Sequence, residues 1–191
     1  MPSEDIVAKL ISGKIGVLPT DTVYGLVCVA GNQEAVGKLY QAKNRDKKPG
    51  TIVASSIDQL VSLGFKARYL KAVENFWPGP ISIVIPCVDL AYLHLGLGGI
   101  AVRISSDKEF NRLLVKTGPL LTTSANMPGQ PPASNISDAK KYFADKIDFY
   151  VDGGELDDRK SLTVIRIVDD AVEVLRQGSV RIDEETGKVV G

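Results

Sequence analysis

Histidine and cysteine are scarce in this chain of 191 residues, and charge of neither sign is in excess. Its one histidine, His94, stands between Leu93 and Leu95, with no cysteine or second histidine at metal-ligand spacing, so the sequence offers no zinc site of the usual kind. A solitary imidazole also argues against a Ser-His-Asp hydrolase, and the Gly-x-Ser-x-Gly elbow is missing. His94 is therefore expected in a structural or surface role. The two cysteines, Cys28 and Cys87, lie far apart in apolar stretches, which implies reduced core residues and no disulfide framework. The 23 basic and 23 acidic side chains cancel. General binding of polyanions is thus not signalled, and any anion site must come from local clustering. No Walker P-loop is present, and Gly96-Leu97-Gly98-Gly99 lacks the dinucleotide fingerprint. No apolar run reaches the roughly 18 residues that span a bilayer. The acidic start Met1-Pro2-Ser3-Glu4-Asp5 has no signal-sequence character. These absences point to a cytoplasmic chain that does not engage a membrane.

What is present is an alternation of short apolar runs with helix-like stretches. Ile6, Val7, Leu10 and Ile11 recur at helical spacing behind the candidate cap Ser3, and Gly13 closes that helix. Further helices fit Gln33 to Lys43, Ile57 to Leu63 after Ser56, Arg68 to Phe76, Lys108 to Val115 and Ser137 to Phe143. Strands fit Ile15 to Leu18, Thr51 to Ala54, Ile81 to Ile85 after the breaker Pro78-Gly79-Pro80, Ile100 to Ile104 and Leu120 to Thr123. Toward the end, Ile147 to Val151, Leu162 to Val168 and Ala171 to Leu175 also read as strands, the last two as a hairpin through Asp169-Asp170. With no repeat and no long linker, the expected architecture is a single α/β domain with a mixed sheet and flanking helices.

Three places carry polar side chains in patterns suited to chemistry. Lys38, Lys43, Arg45, Lys47 and Lys48, opposed only by Asp46, gather where the second helix ends and Pro49-Gly50 leads into a strand. Cations there either serve the helix dipole as solvated side chains or hold a polyphosphate, which arginine can grip through two parallel hydrogen bonds. Pro19-Thr20-Asp21-Thr22-Val23-Tyr24-Gly25-Leu26 follows the first strand and is either a polar turn or an extended segment presenting hydroxyls on one side. Thr123-Ser124-Ala125-Asn126 repeats the theme at another strand end, where open α/β sheets bind ligands. The carboxylates Asp21, Asp152 and Glu155 show no metal-ligand spacing.

Taken in order, these segments resemble the YrdC-like family of threonylcarbamoyl-AMP synthases. The resemblance rests on Pro19-Thr20-Asp21-Thr22-Val23-Tyr24-Gly25-Leu26, on Lys43-Asn44-Arg45 with Lys48-Pro49, and on Trp77-Pro78-Gly79-Pro80. Ala101-Val102-Arg103-Ile104, Thr123-Ser124-Ala125-Asn126 and Leu175-Arg176-Gln177-Gly178 complete it. It implies a twisted mixed α/β fold with a concave, positively charged face, and the short single-domain type spanning residues 1–191. The implied reaction condenses L-threonine, bicarbonate and ATP to threonylcarbamoyl-AMP and pyrophosphate, supplying threonylcarbamoyladenosine in tRNA through partner proteins that act downstream. The resemblance also implies roles for single residues. Lys43, Arg45, Ser124 and Asn126 would line the reacting site. Lys48, Gly99, Ala125, Ala133 and Arg176, with Arg45, would hold ATP. Thr22, Tyr24, Arg103, Thr123 and Ser161 would hold threonine, Arg103 facing its carboxylate. Mg²⁺ would arrive with the triphosphate and not in a protein cage.

Departures from the family pattern concern details. Counting back from Arg176, the family serine falls on Leu162, with Ser161 one residue earlier, so either the register slips or that contact is missing. Pro128-Gly129 replaces a Ser-Gly, and Ser105 replaces a proline. The competing expectation is a non-catalytic RNA-binding module of the same fold, tRNA being the candidate partner. A carbamoyltransferase would need acylphosphatase and zinc-binding parts, for which 191 residues leave no room.

Overall fold

The computed structural model describes residues 3–45, 48–156, 162–169, 171–183 and 185–190. Successive strand residues face opposite sides of a sheet, so strand pairing decides what each side carries. The strands β1 (Gly16–Pro19), β2 (Tyr24–Val29), β3 (Thr51–Ala54), β4 (Ile81–Pro86), β5 (Gly99–Ile104), β6 (Leu120–Ser124), β7 (Phe149–Tyr150), β8 (Thr163–Val168) and β9 (Ala171–Arg176) form one twisted mixed sheet. Its order is β7-β1-β2-β6-β3-β5-β4-β8-β9, while β10 (Arg181–Ile182) and β11 (Val189–Val190) pair separately. Three pairs of the large sheet are parallel (β7 with β1, β3 with β5, β4 with β8), and the other five are antiparallel.

On one side of the sheet, register aligns Cys28 with Leu121, Leu121 with Ile52, Ile52 with Val102, Val102 with Ile83 and Ile83 with Ile165. This ridge packs against α2 (Gln33–Ala42), α3 (Ile57–Leu63), α4 (Ala67–Lys71), α5 (Ala91–His94) and α7 (Ile136–Phe143), which contribute Leu39, Leu60, Leu70, Leu93 and Phe143, all fully buried. Each such aliphatic side chain removed from water contributes roughly 1.5–3 kcal/mol. On the other side, α1 (Glu4–Ile11) and α6 (Lys108–Thr117) bring Val7, Leu10, Phe110, Leu113 and Leu114 onto Leu18, Val27, Val53, Leu120 and Phe149. Those two helices cover only part of their face. The rest, running through Gly25, Ser124, Thr122, Thr51, Ala101 and Arg103, is left open by the register.

Local signals start the helices where the sequence places them. Ser3 accepts from the Ile6 amide at 3.4 Å, Asn32 from Ala35 at 3.0 Å, Ser56 from Gln59 at 3.3 Å, Asp107 from Phe110 at 2.7 Å and Asn135 from Asp138 at 2.9 Å. Two readings are corrected. The helix expected from Arg68 to Phe76 breaks: α4 stops at Lys71, and a separate 3₁₀ turn spans Glu74–Phe76. The chain must leave helical geometry by Trp77, because the residue before a proline is pushed to an extended conformation. The polar reading of residues 19–26 missed β2, since only residues 20–23 form a loop. Tyr24, Leu26 and Cys28 alternate into the larger core and make the rest a strand. The short α5 and β10–β11, which have no legible period, were not anticipated. The hairpin through Asp169 forms as expected, Val168 facing Ala171, while Asp170 lies outside the described residues.

Candidate active site

The open part of the smaller face is a cavity of about 250 Å³. Its floor is Thr51, Ala101, Arg103 and Thr122, and its walls include Thr20, Thr22, Arg45, Gly50, Thr123, Ser124, Leu162, Val164 and Arg176. A second hollow of about 370 Å³ shares Val23 and Pro132 with it and adds Pro131, Ala133, Ser134 and Tyr142. Small-molecule sites occupy roughly 300–1,000 Å³, so the two adjoining spaces suit a nucleotide with a small second substrate.

The end of α2 builds the cationic wall. Lys43 is its C-cap, Asn44 turns left-handed with φ 51°, and the Arg45 amide folds back to the Tyr40 carbonyl at 2.9 Å. This reversal sends the two cations to different places. Arg45 reaches the cavity and donates to the Thr123 hydroxyl. Lys43, only 3% exposed, donates to the Ser124 carbonyl and, at 2.7 Å, to Asn126 Oδ1, which also accepts from Ser124 Oγ at 2.6 Å. Burial, reinforced by the Arg45 charge, pushes the Lys43 pKa down from 10.5 to about 7. Burial also lowers the pKa of Arg45, with a further push from Arg176 outweighed by the Tyr40 phenol. Arg176 is lowered by burial as well and is held by the Leu162 carbonyl, 3.0 Å from its Nε. Both arginines remain cations at neutral pH.

Arg103, 1% exposed, forms a two-point ion pair with Asp21, at 2.6 Å from Nη1 and 2.5 Å from Nη2. Ser105 adds a hydrogen bond to the same carboxylate at 3.2 Å. Gly50 shows why the Pro-Gly pair precedes β3: a Cβ there would lie 2.5 Å from the Thr122 carbonyl oxygen, so only glycine lets the two backbones approach.

Of the residues singled out in the sequence, Thr22, Arg45, Arg103, Thr123, Ser124 and Arg176 line the cavity. Lys43 and Asn126 stand directly behind Ser124, and Ala133 lines the adjoining hollow. Lys48 is exposed beside Pro49, which lines the cavity; Gly99 lies two residues before Ala101 on β5; Ala125 is buried and donates its amide to the Tyr24 carbonyl at 2.8 Å. Tyr24 does not wall the threonine end as expected. It is fully buried on the opposite side, where its hydroxyl accepts from the Gly153 amide at 2.8 Å and donates to the Gly154 carbonyl at 2.9 Å. The direction of β2 decides this, since Tyr24 and Gly25 must point to opposite faces. Ser161 lies outside the described residues, whereas Leu162 lines the cavity. His94 is buried and accepts from the Gly98 amide at 3.0 Å, a structural position. Sequence reasoning missed the part played by Asp21. The signal was Arg103 inside an otherwise apolar strand, because a buried guanidinium demands a carboxylate. Among the described residues no group of three His, Cys, Asp or Glu side chains could hold a metal ion.

The model of the Sua5, YciO and YrdC family, described as telomere recombination, matches residues 8–178. The chain belongs to that family. A threonylcarbamoyl-AMP synthase of Marinobacter nauticus is 34% identical over 173 residues, covering 83% of this chain and 87% of its own. One from Pseudomonas fluorescens is 34% identical over 165 residues, covering 83% and 88%. Among solved structures, Pyrococcus abyssi Sua5 in complex with L-threonine superposes with a TM-score of 0.80 at 29% identity. The match covers 94% of this chain but only 54% of that larger one. The shared architecture is thus the family fold. No described helix is long and apolar enough to cross a membrane.

Proposed function

We propose that this chain condenses L-threonine, bicarbonate and ATP to threonylcarbamoyl-AMP and pyrophosphate. It is a nucleotidyltransferase-type enzyme of threonylcarbamoyl-AMP synthesis, a step of tRNA modification. The observation that carries the reading is one cavity lined by three guanidinium groups and several hydroxyls, in a chain whose relatives are named for this synthesis. Arg45 and Arg176 line it with no carboxylate partner among the described residues, and Thr22 lines it with the Arg103 that Asp21 pairs. The neutral amine of threonine attacks the bicarbonate carbon, expelling water and forming a carbamate. A carbamate oxygen then attacks the α-phosphorus, and the bond to the pyrophosphate oxygen breaks. Such a transfer needs positioning and preorganised positive charge more than an imidazole base. Arg45 and Arg176 meet the spreading phosphoryl charge, while Lys43 holds the loop that presents Ser124. The threonine hydroxyl meets Thr22 or Thr123, and its carboxylate meets Arg103. Mg²⁺ would enter as part of the ATP substrate, where it would neutralise charge on the triphosphate. The partner proteins of the later transfer, tRNA contact and a cytoplasmic location belong to the same proposal. The non-catalytic RNA-binding alternative has less support, since relatives covering most of this chain are synthases by name. Mass spectrometry of purified protein with ATP, Mg²⁺, bicarbonate and threonine tests the reading. A threonylcarbamoyl-AMP signal with pyrophosphate is expected, and ATP left intact under those conditions would overturn it.

A further inference from the structure

Three guanidinium groups reach the cavity, and their electrostatic settings differ. Among the described residues the ion pair at the cavity is Arg103–Asp21. Arg45 and Arg176 are instead held by neutral oxygens, the Thr123 hydroxyl and the Leu162 carbonyl, and they act on each other as like charges. Among the described residues, two of the cavity's three guanidinium groups thus have no carboxylate partner, and the third is paired.

We propose that Asp21 sorts the two substrates by denying Arg103 to phosphate and keeping it for the zwitterionic amino acid. This rests on the reading of the chain as a threonylcarbamoyl-AMP synthase. A bare buried guanidinium would grip a phosphate through two hydrogen bonds as readily as a carboxylate. Asp21 already occupies the Nη1–Nη2 edge, and Ser105 holds the carboxylate in place while accepting from the Asp107 amide at 3.1 Å. A triphosphate at Arg103 would set several negative charges beside Asp21, whose side chain is 11% exposed, where water screens repulsion poorly. Threonine carries no net charge and brings no such excess. Among the described residues the buried Arg103 Nε has no hydrogen-bond partner, so the Asp21 pair leaves that donor of the guanidinium unused. Asp21 does not itself line the cavity. It is a specificity residue that acts through Arg103.

Calorimetry of threonine binding, with and without saturating inorganic pyrophosphate, separates this from a merely structural ion pair. In the parent protein the threonine Kd should be indifferent to pyrophosphate. In Asp21→Asn the bare Arg103 should admit pyrophosphate, raising the apparent threonine Kd about tenfold or more in a competitive pattern. Threonine that fails to bind the parent at all overturns the functional reading. Threonine that binds the parent but is displaced by pyrophosphate overturns the sorting role alone, as does Asp21→Asn binding the two independently. Should Asp21→Asn not fold, the parent competition decides: independence supports the proposal, and displacement defeats it.

Discussion

Replacing Lys43 with methionine should stabilise the protein in acid while abolishing most of its activity. Lys43 is 3% exposed, and its pKa falls from 10.5 to about 7 on folding. Below pH 7 the folded and unfolded chains both carry its proton, so the folded state bears the full cost of a buried charge. Between about pH 7 and 10.5 the unfolded chain binds a proton that the folded chain does not, and stability therefore rises with pH across that window. From pH 6 to pH 9 the gain integrates to about 2.5 kcal/mol, or about 2 kcal/mol after allowing for water admitted by the adjoining cavity. Methionine has no such titration. Lost hydrogen bonds to Ser124 and Asn126 subtract roughly 1 kcal/mol each at every pH and do not alter the slope. Urea unfolding followed by circular dichroism at pH 6, 7.5 and 9 measures the difference between variant and parent. The variant's advantage should be greatest at pH 6 and shrink by about 2 kcal/mol at pH 9. A difference that stays flat with pH would refute the reasoning, because Lys43 would then not be a strained cation.

Other outcomes follow from the same geometry. Arg45→Ala should lower turnover roughly a hundred- to thousandfold, the effect of losing one preorganised contact worth about 3–4 kcal/mol, with its unfolding curve little changed; steady-state pyrophosphate release measures this. Tyr24→Phe should cost about 0.5–1.5 kcal/mol of stability, because the buried hydroxyl that ties the exposed Gly153 amide to the Gly154 carbonyl is lost while both backbone groups can turn to water; denaturant unfolding checks it, and an unchanged midpoint contradicts the clamp. Catalytic efficiency should fall from threonine to serine to valine. Losing a methyl costs roughly 1–3 kcal/mol, whereas losing the hydroxyl leaves polar pocket groups unpaired; valine outperforming serine would show that the pocket reads shape. His94→Gln should leave the pH–rate profile without a lost limb near pH 6–7, since His94 contacts Gly98 and not the cavity.

Local chemistry made much of the fold legible. The starts of α1 and α3 were readable because the Ser3 and Ser56 side chains each cap a backbone amide three residues away, an interaction complete within one turn. Strands such as β3, β5 and β6 were readable because β-branched and apolar residues that are buried on both faces form short unbroken runs. The basic cluster at the end of α2 and the hydroxyl-rich end of β6 were legible as polar segments, and both supply residues to the cavity lining. The breaking of the 68–76 helix and the small β10–β11 pair were less legible, because neither has a period of its own.

The sequence by itself determined where most helices and strands lie and which strand ends carry cations and hydroxyls, since both follow from residue type and nearest neighbours. Only the tertiary structure decided where those side chains point. Asn44 turns Arg45 into the cavity and leaves Lys43 behind Ser124, a difference of one left-handed residue. The pairing of Gly25 with Ser124 sends Tyr24 into the opposite core, away from the ligand it was expected to wall. Asp21 and Arg103, far apart along the chain, become partners because the 20–23 loop and β5 converge at the same open face. Such pairings depend on strand order across the whole sheet, and strand order is a property of nonlocal hydrogen bonds that no window of sequence contains.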